Sequence, residues 1–134
     1  MIAFIFPGQG SQYVGMGVDV AEQYPEAAAV IEQADAVLGM ELSLLMREGP
    51  AEELMATEVA QPALLTHSVA VLRVLQGQGL QPDVVAGHSL GEYSALVAAD
   101  ALDFESALQL VRRRGELMAE DGRRVGGTMA AIIG

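Results

Sequence analysis

Six apolar residues open the chain, Met1 to Phe6, and Pro7-Gly8 closes them. A short apolar run stopped by Pro-Gly predicts a buried strand over Ile2 to Phe6. Val18 to Leu38 then carries helical spacing, with a break expected at Pro25. Ala51 to Leu54, after Gly49-Pro50, predicts one short helix. Pro62 to Gln76 predicts a long one: Pro62 stands in the first turn, apolar residues recur at Leu65, Val69 and Leu72, and Gly77 can cap the end. Asp83 to Gly87 is a second buried strand. Gly91 to Ala99 is a helix of small residues. Asp103 to Met118 is another helix, with Asp103 as N-cap. Glu120 to Gly127 is polar and reads as a loop, and Thr128 to Ile133 is a third apolar strand.

Strands alternating with helices imply an α/β fold with a parallel sheet. Such a sheet needs helices on both faces and several strands. Only three strands are predicted, so the expectation is a truncated polypeptide. Unpaired edges and bare apolar patches follow from that, as does a need for the missing C-terminal portion or for self-association.

Composition narrows the functional classes. The 134 residues are 51% hydrophobic and 19% charged, too apolar for a disordered chain. A chain of this length buries roughly two-thirds of its unfolded surface, enough for one core. Seven basic residues stand against 18 acidic ones, a net charge of −11. That excludes nucleic acid and an anionic membrane surface as expected partners, since both want a basic face. There is no cysteine, so disulfides, thiolate catalysis and Cys-ligated zinc are excluded. No metal site is expected. The opening apolar run lacks a basic flank and is too short for a signal peptide, and nothing approaches the ~18 apolar residues of a membrane span. The expectation is a soluble cytoplasmic protein.

The sharpest chemical signal is Gly87-His88-Ser89-Leu90-Gly91. It fits G-x-S-x-G and lies between a predicted strand and a predicted helix, the context such a nucleophile elbow needs. The turn is tight enough to strain the serine backbone. Glycine on both sides lets neighbouring backbone approach without a Cβ clash. Ser89 Oγ is then held out at the strand's end. The N–H of Leu90 can stabilise an oxyanion there, and the helix N-terminus adds a favourable dipole.

A serine nucleophile needs a base, and the chain has two histidines. His88 adjoins Ser89, but consecutive residues in such a turn point different ways. It reads as support for the elbow or as a residue lining the cleft. His67 lies mid-helix and reads as a satisfied helix histidine. No residue fits the part of base. Gly8-Gln9-Gly10 is not a dinucleotide fingerprint, because Tyr13 stands where the third glycine belongs. Arg112-Arg113-Arg114 reads by itself as a solvated helix face, since consecutive helical residues point about 100° apart.

Four motifs, in order along the whole chain, resemble those of the malonyl-CoA:acyl carrier protein transacylases of fatty acid synthesis. They are Phe6-Pro7-Gly8-Gln9-Gly10-Ser11-Gln12, Gln61-Pro62-Ala63-Leu64, Gly87 to Leu96, and Arg114-Gly115 with the run Met129 to Gly134. The resemblance implies that Ser89 is the nucleophile that carries the malonyl ester. It implies that the backbone N–H groups of Gln9 and Leu90 form the oxyanion hole. Arg114 matches the arginine that pairs with the free malonyl carboxylate, and a guanidinium fork suits that role chemically. Gln61 matches a glutamine of the active-site cleft. The implied substrates are malonyl-CoA and a phosphopantetheinylated acyl carrier protein, with no further cofactor.

The family's fold is an α/β-hydrolase-like parallel-sheet subdomain carrying a small ferredoxin-like one. Residues 1–125 are expected to form the N-terminal part of the first, and residues 126–134 the opening strand of the second. The family's catalytic histidine has no counterpart here, so little activity is expected of the chain alone. Ala99-Asp100-Ala101 departs from the family's usual glycine at Asp100. Other readings stay open: an acyltransferase of polyketide synthesis or malonate decarboxylation, an α/β-hydrolase-type thioesterase, or a non-catalytic carrier-binding fragment. Five of the seven arginines lie between Arg112 and Arg124, a basic cluster that an acidic carrier could dock on at Arg123 and Arg124.

Overall fold

The computed structural model describes residues 1–126. The chain runs β1 (Ala3–Phe6), α1 (Val18–Gln23), α2 (Pro25–Leu38), α3 (Leu42–Glu48), α4 (Ala51–Met55), α5 (Thr57–Gly77), β2 (Val84–Gly87), α6 (Gly91–Ala98) and α7 (Phe104–Val125). The strand expected at Thr128 to Ile133, and nearly all of the segment assigned to a second subdomain, lie outside the described residues.

The two strands pair in parallel, with Ala3 opposite Val84 and Phe6 opposite Gly87. Partners in register point to the same face, and side chains alternate along each strand. Phe4, Phe6, Val85 and Gly87 are buried or half-buried, whereas Ala3, Ile5, Val84 and Ala86 are exposed. Ile5 keeps 78% of its surface in solvent. The expectation of helices on both faces therefore holds for one face only among the described residues.

The helices build most of the core. α5 runs through its centre, buried on nearly every side from Ala60 to Ala70. α2 and α7 pack along it, and α6 joins it to the sheet. Leu65, Val69 and Leu72 of α5 meet Leu108 and Val111 of α7 in one apolar cluster.

Local chemistry explains where the elements stop, and where the sequence misleads. Pro25 opens α2 at its first position, so the predicted break falls there. Asp103 caps α7 as expected, its carboxylate accepting the Ser106 N–H at 2.8 Å. Those hydrogen bonds hold the carboxyl below the usual carboxylate range. α5 begins at Thr57, five residues before the predicted start. Pro62 then lies in its second turn, past the orphan N–H groups of the helix start, so it leaves the Glu58 carbonyl without its helical donor. Glu120 to Val125 is helix rather than loop, because the polar residues there are the solvated end of α7. Arg124 pairs with Asp121 one turn back, at 3.1 Å. α3 had no counterpart in the sequence reading. Asp35 of α2 accepts the Ser43 N–H at 2.8 Å and so caps its start across the chain.

Candidate active site

The turn between β2 and α6 is set by backbone contact. Ser89 has a φ of 52°, in the left-handed region that side chains other than glycine rarely adopt. Such a residue persists only where its surroundings over-determine it. Two glycines do so here. A Cβ on Gly87 would stand 2.0 Å from the Gly91 carbonyl, and one on Gly91 would stand 2.2 Å from the Phe6 carbonyl oxygen. Neither distance is possible, so both positions must be glycine. The His88 N–H donates to the Phe6 carbonyl at 3.1 Å and ties the turn to the end of β1.

The loop after β1 packs directly on this turn. A Cβ on Gly8 would meet the His88 carbonyl oxygen at 2.7 Å and His88 Nδ1 at 2.9 Å. His88 thus faces the Gly8 backbone, and no hydrogen bond joins it to Ser89. Gln9 follows Gly8, and its Nε2 donates to Thr57 Oγ1 at 3.2 Å. Among the described residues the N–H groups of Gln9 and Leu90 have no acceptor. They sit on two segments that the Gly8–His88 contact holds together.

α7 brings a cation to the serine. Arg114 Nη2 donates to Ser89 Oγ at 3.0 Å, and Nη1 donates to Gln61 Oε1 at 2.7 Å. Its guanidinium also lies 6.0 Å from the Tyr93 ring centroid, within cation–π range. The three consecutive arginines leave the helix in different directions, yet two of them reach one carboxylate. Arg112 pairs with Glu116 at 2.8 Å and donates to Met40 Sδ. Arg113 reaches Glu116 from the exposed side. The Arg112 hydrogen bond, helped by Arg113, holds the Glu116 carboxyl below its ordinary range. Of the three, Arg114 alone reaches Ser89. Gly115 beside it makes this possible: a Cβ there would stand 2.8 Å from the Thr57 carbonyl oxygen.

Gln61 is fully buried, and its Nε2 donates to Met118 Sδ at 3.3 Å. A thioether accepts but cannot donate. The amide nitrogen must therefore face Met118, which aims the carbonyl oxygen at Arg114. Buried amides need such partners.

His67 stands apart. Its Nδ1 is buried without a partner and lies against Gly17. Burial lowers its pKa, and the nearby Asp19 partly offsets this. The satisfied helix histidine of the sequence reading is therefore corrected: at Nδ1 it is unsatisfied.

The structure thus gathers Ser89, Arg114 and Gln61, with Leu90 on the turn and Gln9 on the adjoining loop. Sequence reasoning missed Tyr93, Thr57 and Met118. Met118 had a signal, since it lies one turn after Arg114 on the same helix face. Thr57 had none. Among the described residues no three His, Cys, Asp or Glu side chains gather as a metal site, and no helix is long and apolar enough to cross a membrane.

Comparison with known proteins places these features in context. The family described as acyl transferase domain matches residues 3–133. A malonyl CoA-acyl carrier protein transacylase of Bacillus subtilis is 56% identical over 133 residues, covering 99% of this chain and 42% of that protein. The crystal structure of an acyl carrier protein S-malonyltransferase from Vibrio cholerae superposes with a TM-score of 0.85 at 55% identity, over 87% of this chain and 39% of its own. A malonyl-transacylase solved with a type II polyketide acyl carrier protein gives 0.86 at 51% identity, over 89% and 39%. The chain spans about two-fifths of the length of the curated relatives it matches.

Proposed function

The chain belongs to the acyl transferase domain family, and from that premise we propose that it carries the nucleophile and carboxylate-binding half of a malonyl-CoA:acyl carrier protein transacylase of fatty acid synthesis. The observation that carries this reading is the 3.0 Å contact between Arg114 and Ser89. A guanidinium held beside a serine hydroxyl suits an acyl group that ends in a carboxylate. A thioesterase acting on plain acyl chains has no use for it.

The proposed reaction runs in two steps. Ser89 Oγ attacks the thioester carbon of malonyl-CoA, and the C–S bond breaks to release coenzyme A. The phosphopantetheine thiol of the carrier then attacks the seryl ester and restores the serine. The free N–H groups of Gln9 and Leu90 would hold the carbonyl oxygen in both steps, while Arg114 grips the distal carboxylate in a bidentate pair. His67 and His88 are this chain's two histidines, and neither bonds to Ser89. We place the proton acceptor on a segment beyond these 134 residues, within the α/β-hydrolase-like unit to which residues 1–125 would contribute. Ser89 would then acylate slowly in this chain alone, as oxyanion-hole donors leave residual catalysis when triad members are lost.

For the carrier we propose docking at the end of α7, where Arg123 and Arg124 stay largely exposed. Their partners, Glu58 at 3.4 Å and Asp121 at 3.1 Å, are surface pairs of the weak kind and can be exchanged for carrier carboxylates. Reversing both charges is expected to raise the carrier KM in the enzyme completed with its missing segment, and an unchanged KM removes this site.

The central test is intact-protein mass spectrometry after incubation with malonyl-CoA. A malonyl adduct is expected on the wild type and not on Ser89→Ala. Arg114→Ala should cut malonyl loading about ten- to hundredfold, the scale of a charge-assisted bidentate pair, while sparing acetyl loading. Equal losses for both acyl groups would remove Arg114 from carboxylate recognition.

A further inference from the structure

We propose that Gln12 is a positioning residue of the oxyanion loop, acting through the Gly10 amide. The proposal rests on the acyl-transfer reading of Ser89 and adds a residue which that reading does not contain.

Gln12 is one of the few buried polar side chains, with 7% of its surface exposed, although its neighbours Ser11 and Tyr13 are exposed. Its Oε1 accepts the Gly10 N–H at 2.8 Å, and its Nε2 donates to Met55 Sδ at 3.1 Å. The sulfur again fixes the amide's direction: it takes the NH2 end and leaves the oxygen for Gly10. The buried amide thus spends its carbonyl on one part-buried loop N–H. That bond fixes a peptide plane.

That plane is the one after Gln9. The preceding backbone is clamped at Gly8, which leaves no room for a Cβ against His88. The Gln9 N–H lies between the clamp and the Gln12 bond. Gly10 has a φ of +107° and nothing within 4 Å of its missing Cβ. Its freedom is conformational, and packing does not restrain it. A glycine in open space holds no direction unaided, so the Gln12 bond supplies the restraint on this side. The Gln9 side chain, on Thr57, restrains a different bond of the same residue.

The test compares Gln12→Glu with Gln12→Leu in the full chain. The carboxylate keeps an acceptor for Gly10 at the same reach and gives up only the Met55 contact, whereas leucine keeps the bulk and loses both bonds. Ser89 is probed with a fluorophosphonate, whose phosphoryl oxygen uses the oxyanion donors and needs no carboxylate pocket. Misaiming a donor costs up to about a hundredfold in rate. Labelling is expected to slow at least about tenfold in Gln12→Leu and to recover largely in Gln12→Glu. The malonyl-over-acetyl preference set by Arg114 should not move in either. Amide exchange at Gly10, followed by NMR, should quicken in Gln12→Leu alone. Wild-type labelling by Gln12→Leu overturns the proposal, as does equal slowing in both variants or no labelling of the wild type. Phosphonate labelling without any malonyl adduct overturns only the malonyl reading and leaves the Gln12 result to stand.

Discussion

The two sides of the candidate site are built by different means. On the elbow side, Ser89 is placed by backbone against backbone: Gly87 on Gly91, and Gly91 on Phe6, at distances no Cβ could enter. On the α5–α7 side, Arg114 is placed by a relay of side chains, with Met118 directing Gln61 and Gln61 directing the guanidinium. The backbone side has no adjustable part. The relay can be retuned by one substitution. On the proposed reading the chemistry would divide the same way, with a nucleophile that must not move and a cation that would set which acyl group enters.

Substitution at the rigid half carries the largest expected cost. Gly91→Ala should lower stability by about 3 kcal/mol or more, because the methyl meets backbone that cannot yield. Chemical denaturation checks this, and a near-native midpoint would mean that the elbow has slack. Gly115→Ala should cost less, about 1–3 kcal/mol, since α7 can tilt away from Thr57. It should also disturb the reach of Arg114. Gln61→Leu leaves the buried Met118 contact apolar and removes only the Arg114 acceptor. About 1–2 kcal/mol is expected, together with a weaker malonyl preference and an unchanged phosphonate rate. A phosphonate rate that falls with it would mean that the two halves are not separable.

The smallest effect is a pH dependence away from both halves. Burial holds the His67 pKa below the ordinary 6.5 in the folded chain. The unfolded chain therefore binds the proton first as pH falls. The stability in question is whole above the unfolded value and is lost as pH drops through it toward the folded one. Replacing His67 by glutamine should flatten the stability profile in that window, as thermal melts across it would show.

The elbow was legible because its signal is local: five residues, two obligatory glycines and a strand–helix context. The Pro25 break and the Asp103 cap were legible for the same reason. The relay was not, because Gln61 and Arg114 lie 53 residues apart in sequence and meet only when α5 and α7 pack. Residue chemistry by itself read Arg114 as one of three solvated arginines, and only the resemblance singled it out. Polarity misled at Glu120 to Val125, where ion pairs along a helix face resemble a loop in composition. α3 escaped because its cap, Asp35, stands eight residues from the N–H it binds. The third strand falls outside the described residues.

The contact between Arg114 and Ser89 also has a directional consequence. A hydroxyl oxygen offers two lone pairs and one hydrogen in a roughly tetrahedral arrangement. The guanidinium N–H takes one of those lone pairs from the side of α7. The hydroxyl hydrogen must then leave along a direction turned away from that helix. Any group that removes the proton has its approach fixed to that opposite quarter before a substrate arrives. The second lone pair, the one that would attack, is left between the two.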